Sequence, residues 1–278
     1  MKSFLALTAL GAGAAFASSI APSCKPHPMA PLFINRNFAH RGLFNNRDVC
    51  ENSLEAFAFA VENNYGIELD VQLTSDGKVV VFHDDRLLRM CGKEKAVKDC
   101  TYQELLQYPL GDTDQTIPLF KDALALVDGR VPLIIELKST TEISALCLKV
   151  YDLLRKYSGP FCIESFNPLI VDWFRQNAPQ IMRGQLATKT QGEGTLFSRA
   201  NSFALQNLMY NFLSRPHFIA YDQRYRGNQV LKLCRAMGAF TVGWTVTKEN
   251  YVKNASAFDA VIFEGFFPPS RTDEPFCG

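Results

Sequence analysis

An eight-stranded parallel β/α barrel is the architecture this chain predicts, and three observations carry it. Eight short β-branched or aromatic runs, at 38–41, 66–71, 131–137, 161–165, 182–186, 218–222, 240–246 and 261–264, alternate with helical patterns. These runs are almost continuously apolar, as strands covered on both faces must be. No repeat or low-complexity tract interrupts residues 36–270, and barrels of this class form one unit at ~250 residues, so 37–278 reads as a single TIM (β/α)8 domain.

Composition narrows the function. The 29 Lys plus Arg and 28 Asp plus Glu leave a net charge of +1, which offers no basic footprint for nucleic acid. Hydrophobic residues at 47 % and charged residues at 21 % exclude disorder for most of the chain. Eight cysteines form no C-x-x-C pair, so neither a zinc nor a dithiol redox site is expected. Cys147, Cys162 and Cys234 lie in apolar runs and read as buried thiols, whereas Cys91 and Cys100 bracket a polar loop and are spaced for a disulfide if the protein is exported.

In chain order, residues 3–24 follow Lys2 without a charge and are rich in Ala, Gly, Leu and Phe, the pattern of a signal peptide or a membrane anchor. Ala15-Phe16-Ala17 supplies a small-x-small cleavage site, and the expectation is an exported or membrane-anchored protein. Pro26, Pro28 and Pro31 mark 25–36 as a linker. Helices are expected at 53–63, 119–127, 141–157, 168–177, 198–213, 229–237 and 249–257, with Asn52 and Glu55, then Thr101 and Glu104, as capping-box starts. After the second run, Thr74-Ser75-Asp76-Gly77-Lys78 and the β-prone 79–83 predict a hairpin that returns Phe82 and His83 to the level of Glu68 and Asp70. The stretch 84–118 is then a long insertion at the barrel mouth, placed to cover a site. Residues 191–194 read as a mobile loop.

The chemistry concentrates at strand ends. His40 and His83 both terminate β-prone runs, and phosphodiester cleavage needs one group to take a proton from the attacking oxygen and another to protonate the leaving oxygen. Glu68 and Asp70 sit two apart, on one face of one strand, and Glu136 is a third carboxylate inside an apolar run. Such anions require a cation, and an all-oxygen set favours Mg²⁺ or Ca²⁺, with Mn²⁺ a further option. Arg41 and Lys138 supply positive charge suited to a phosphate, and Phe166 and Trp244 are candidates for the apolar wall of a pocket. His27 and His217 are assigned no function.

In this order, Ala39-His40-Arg41-Gly42, Glu51-Asn52-Ser53, Gly66 to Val71, Thr74-Ser75-Asp76-Gly77, Val80 to Asp84 and Glu136-Leu137-Lys138 resemble the glycerophosphodiester phosphodiesterases from about Phe38 to Pro268. The resemblance implies a metal-dependent TIM barrel acting in lipid metabolism, which releases glycerol 3-phosphate and an alcohol from a small glycerophosphodiester. It implies acid–base roles for His40 (as base) and His83 (as acid), metal ligation by Glu68, Asp70 and Glu136, and phosphate contact by Arg41 and Lys138. Cys50 stands where a proline is frequent, and Phe263-Glu264-Gly265 replaces the usual Thr-Asp, which leaves substrate preference open. A lysophospholipase D or phosphatidylinositol-type phospholipase on the same barrel is the neighbouring reading. A non-catalytic, metal-binding surface protein is the distant one.

Overall fold

The computed structural model describes residues 13–189 and 195–271. Eight parallel strands close a barrel: β1 (Asn37–His40), β2 (Gly66–Leu73), β4 (Leu133–Leu137), β5 (Phe161–Ser165), β6 (Arg183–Ala187), β7 (Phe218–Asp222), β8 (Phe240–Val246) and β9 (Ala260–Phe263). β1 pairs with both β2 and β9, which shuts the ring, and β3 (Val79–Val81) folds back antiparallel on β2. The helices are α1 (Leu54–Glu62), α2 (Leu88–Cys91), α3 (Tyr102–Leu105), α4 (Phe120–Val127), α5 (Ile143–Leu154), α6 (Pro168–Asn177), α7 (Leu196–Gln206), α8 (Asn211–Ser214), α9 (Gln229–Ala236) and α10 (Tyr251–Ala255).

Strand periodicity decides which side chains enter the barrel. Ile67, Leu69 and Val71 of β2 and Leu133, Ile135 and Leu137 of β4 pack outward with Phe57, Phe120 and Phe174 of the helices. Glu68, Asp70 and Glu136 therefore point to the interior. Below them the barrel is filled by Phe38, Ile134, Cys162, Met182, Phe218 and Phe240. The ring of Phe218 occupies the space a side chain at Gly184 would need, since a Cβ there would come within 2.2 Å of it.

The structure moves several expectations. Residues 25–36, read as a linker, belong to the barrel: Ala30–Leu32 is a 3₁₀ turn, and the following Phe33 is buried and stacks on Phe38 at 5.7 Å to close the floor. Residues 13–20 are helical, and Ile20 is only 1 % exposed, its carbonyl accepting from Asn211 Nδ2 at 2.8 Å. Among the described residues no helix is long and apolar enough to cross a membrane. The N-cap of α1 is Ser53, which accepts from Ala56 N–H, and not Asn52, whose left-handed backbone (φ 56°) turns it elsewhere. Thr101 caps α3 as expected. The single helix expected at 198–213 splits into α7 and α8, because Leu208 takes a left-handed φ of 57° between them. Cys91 and Cys100 are free thiols; Cys91 ends α2, while Cys100 Sγ is engaged with the Ala96 carbonyl at 3.4 Å. The insertion carries its own small core of Phe82, Leu87, Met90, Val97, Leu105 and Ile117, and this fixes it beside the barrel mouth. Residues 191–194 lie outside the described residues.

Candidate active site

At the C-terminal ends of the strands, where chemistry sits in such barrels, Glu68, Asp70 and Glu136 bring carboxylate oxygens within 4.8 Å of one another. Register produces this: Asp70 of β2 lies opposite Glu136 of β4, and His40 of β1 opposite Glu68 of β2. Glu164 of β5 pairs in register with Glu136 and adds a fourth buried carboxyl, one oxygen of which has no hydrogen-bond partner.

Charge is unbalanced here. Lys138 Nζ lies 3.3 Å from Asp70 Oδ1 and 2.9 Å from Glu136 Oε1, and Arg41 Nε lies 3.6 Å from Asp70. Burial raises Asp70, but Lys138, His83 and Arg41 outweigh it and hold this carboxyl far below its ordinary value. Burial together with the neighbouring carboxylates pushes Glu68 and Glu164 well up, and Glu136 reaches about 7 even with Lys138 beside it. Two cations do not neutralise these carboxyls, and the deficit together with the all-oxygen donor set fits a hard divalent cation held by Glu68, Asp70 and Glu136.

Both histidines stand at this cluster. His40 Nδ1 is 2.5 Å from Glu264 Oε2, and its Nε2 is 4.0 Å from Glu68 Oε2. Hydrogen bonding of the first nitrogen to a carboxylate leaves the second free for proton transfer. His83 follows the hairpin strand β3, and Phe82 N–H bonds the Asp70 carbonyl at 3.0 Å, which sets the imidazole at carboxylate height as the turn predicts. His83 Nδ1 meets Asp84 Oδ1 at 2.6 Å. Burial lowers His83, with Lys138 and Arg41 assisting and Asp70 and Asp84 opposing.

Arg41 takes a left-handed φ of 57°, and its backbone N–H donates to Glu68 Oε2 at 3.1 Å. Gly42 follows at φ 83°, and a Cβ there would come within 2.8 Å of the Ala56 backbone, so the turn requires glycine. The Arg41 guanidinium bonds Glu51 at 2.6 Å, and Glu51 also accepts from Arg89 of α2 at 2.7 Å, which ties the insertion to the site. The buried Arg41 Nε, 3.6 Å from Asp70 Oδ2, completes no hydrogen bond. Phe166 and Trp244 form an edge-to-face pair at 5.5 Å above the interior core, and the buried indole N–H is also without a partner.

Glu51, Asn52, Glu164 and Glu264 were assigned no part in the site from the sequence, although Glu51 and Asn52 lie in a motif that carries the resemblance and Asn52 was read as a helix cap. Asn52 Nδ2 donates to Asp70 Oδ2 at 2.8 Å. Glu164 carried the same signal as Glu136, a carboxylate inside an apolar strand, and could have been found by it.

The model of the Glycerophosphoryl diester phosphodiesterase family matches residues 40–264, from His40 to Glu264, the glutamate that holds it. The chain belongs to this family. A glycerophosphodiester phosphodiesterase of Bacillus altitudinis is 40 % identical over 111 residues, 36 % of this chain and less than half, 43 %, of that protein. A Bacillus subtilis protein given the same name provisionally is 29 % identical over 236 residues, covering 82 % of this chain and 91 % of that one. Among solved structures, an Oleispira antarctica phosphodiesterase in complex with its product sn-glycerol-3-phosphate superposes with a TM-score of 0.67 at 22 % identity, over 83 % of this chain and 93 % of that one. At that identity the likeness shows the fold, and the family rests on the match over residues 40–264.

Proposed function

We infer that the protein hydrolyses glycerophosphodiesters to glycerol 3-phosphate and an alcohol. The observation that carries this is the placement of two imidazoles around one cluster of three carboxylates, with Arg41 and Lys138 at its edge. Glu68, Asp70 and Glu136 would hold the divalent cation, Mg²⁺, Ca²⁺ or Mn²⁺, and a cation there supplies positive charge to the phosphoryl oxygens. With Nδ1–H directed to Glu264, His40 accepts at Nε2 the proton of the attacking water or of the substrate's own glycerol hydroxyl. His83 delivers a proton to the departing alcohol oxygen, and Arg41 and Lys138 offset the phosphate charge.

Restoring Mg²⁺, Ca²⁺ or Mn²⁺ to chelator-stripped protein is expected to restore glycerol 3-phosphate release from glycerophosphocholine or glycerophosphoethanolamine. Silence with every metal and both substrates would overturn the reading.

We further propose export directed by residues 3–24. Cleavage after Ala17 would keep Ile20 in its buried seat, and N-terminal sequencing of the secreted protein tests it. A start later than Ile20, or no secreted protein, would contradict this.

A further inference from the structure

Arg89 of the insertion carries one guanidinium that grips two carboxylates at once. Its Nε and Nη2 donate to Asp84 Oδ2 and Oδ1 at 2.7 and 3.0 Å, and its Nη1 and Nη2 donate to Glu51 Oε2 and Oε1 at 2.8 and 2.7 Å. A planar fork of this kind fixes orientation as well as charge, which an ammonium cannot do. Each carboxylate holds a residue of the site on its other side. Asp84 Oδ1 meets His83 Nδ1 at 2.6 Å, and Glu51 Oε1 accepts from Arg41 Nη1 at 2.6 Å. The aim of Arg89 is set by its chain neighbours. Leu87 and Met90 are buried in the core of the insertion, Leu87 N–H bonds the Lys95 carbonyl at 2.9 Å, and Gly111 N–H bonds the Met90 carbonyl at 2.6 Å. Glu51 is also buried; burial raises its carboxyl, but Arg89 and Arg41 outweigh this and hold it below its ordinary value. One negative charge is thus shared between two guanidiniums, so Arg41 is not cancelled by its own partner. Arg41, Glu51, Arg89 and Asp84 are together neutral. Without Arg89 they would carry one net negative charge where an anionic phosphodiester has to dock.

We propose that Arg89 is a positioning residue for two parts of the site, aligning His83 through Asp84 and Arg41 through Glu51. Resting on the function proposed above, this gives the insertion a part in turnover, exerted only through those two carboxylates. The two arms differ in what they control. Choline leaving as an alkoxide needs a proton in the transition state, whereas 4-nitrophenolate leaves without one, so a misaligned His83 slows only the first. A misaligned Arg41 weakens both, because the two substrates present the same phosphate.

The test is steady-state turnover of glycerophosphocholine and of the 4-nitrophenyl ester of glycerol 3-phosphate by the full protein with Mg²⁺, Ca²⁺ or Mn²⁺ restored, with calorimetric binding of glycerol 3-phosphate in parallel. Arg89→Lys keeps the charge and loses the fork. Its kcat for glycerophosphocholine is expected to fall ~10–100-fold, typical of losing an orienting partner, while the nitrophenyl ester and product affinity stay within about threefold of the parent. Arg89→Ala loses the charge as well, and its affinity for glycerol 3-phosphate is expected to fall about fivefold. Because the Arg89 side chain is 45 % exposed, guanidinium added at sub-denaturing concentration can enter the gap and is expected to restore part of the glycerophosphocholine turnover of Arg89→Ala, which sodium chloride at equal ionic strength does not. Circular dichroism identifies a variant that has not folded, and Arg89→Lys decides the question if Arg89→Ala is one. Equal losses with both leaving groups in folded Arg89→Lys, or an unchanged kcat for glycerophosphocholine, would make Arg89 a strut of the insertion and overturn the proposal while leaving the hydrolysis standing. A parent that binds glycerol 3-phosphate but turns over neither diester would overturn the hydrolysis instead; weaker product binding by Arg89→Ala would then still uphold the arm through Glu51, and unchanged binding would end it.

Discussion

His83 is oriented by a relay of charges that begins outside the barrel. Its Nδ1 meets Asp84, Asp84 Oδ2 accepts from Arg89 Nε at 2.7 Å, and Arg89 also grips Glu51, which in turn binds Arg41. The far ring nitrogen is thereby left open, as the acid role proposed for His83 requires. His83→Ala is expected to lower turnover by ~10²–10⁴, the usual cost of losing a general acid, with the melting temperature little changed because the ring lies at the half-buried rim. Measured turnover equal to the parent's would remove His83 from the mechanism. At this scale the sequence was legible where one residue carries its own signal. A histidine ending a strand or a carboxylate inside an apolar run can be read directly. Asn52 and Glu264 could not be read this way, because their roles depend on a left-handed turn and on the closure of β9 against β1, both products of the assembled fold.

Between neighbouring strands, packing allows no slack. Gly184 of β6 lies opposite Phe218 of β7, and the fully buried phenyl ring takes the place of the missing side chain before stacking on Phe240 at 5.1 Å. Gly184→Ala must displace a ring with nowhere to go, and the expected loss of stability in denaturant unfolding is about 1–3 kcal/mol, typical of overpacked cores. An unchanged midpoint would show that Phe218 can repack. Element positions were legible because apolar alternation is local: α6 runs from Pro168 to Asn177 as its pattern requires, with Asn167 capping Leu169 N–H. Element breaks were less so. The split at Leu208 and the choice of Ser53 over Asn52 as a cap are decided by backbone conformations that composition does not encode.

For the whole molecule, the least legible part is the floor. A proline-spaced stretch after an apolar leader has the composition of a tether, and only the open end of a barrel makes Phe33 a plug. The same floor joins two histidines that sequence reasoning set aside: His27 and His217 meet edge-on at 4.8 Å, His27 Nε2 bonds the Gln180 carbonyl at 2.9 Å, and His217 Nδ1 accepts from Arg183 N–H at 3.3 Å. Burial, with Arg183 and His27 adding to it, lowers His217 to about 3. Its unfolded value stays near ~6.5, so between the two the unfolded chain binds more protons, and stability falls as pH drops from about 6.5 toward about 3. The loss from this group is about 2 kcal/mol by about pH 4, after discounting for the part of the ring that solvent screens. His217→Asn keeps an acceptor for the Arg183 N–H without a titrating ring, and it is expected to flatten the acid side of the melting-temperature profile while leaving the neutral side in place. An acid side as steep as the parent's would mean that the floor is not where acid opens this protein, and that the carboxyls held below their ordinary values at the other end of the barrel, Asp70 and Glu51, govern its acid limit instead.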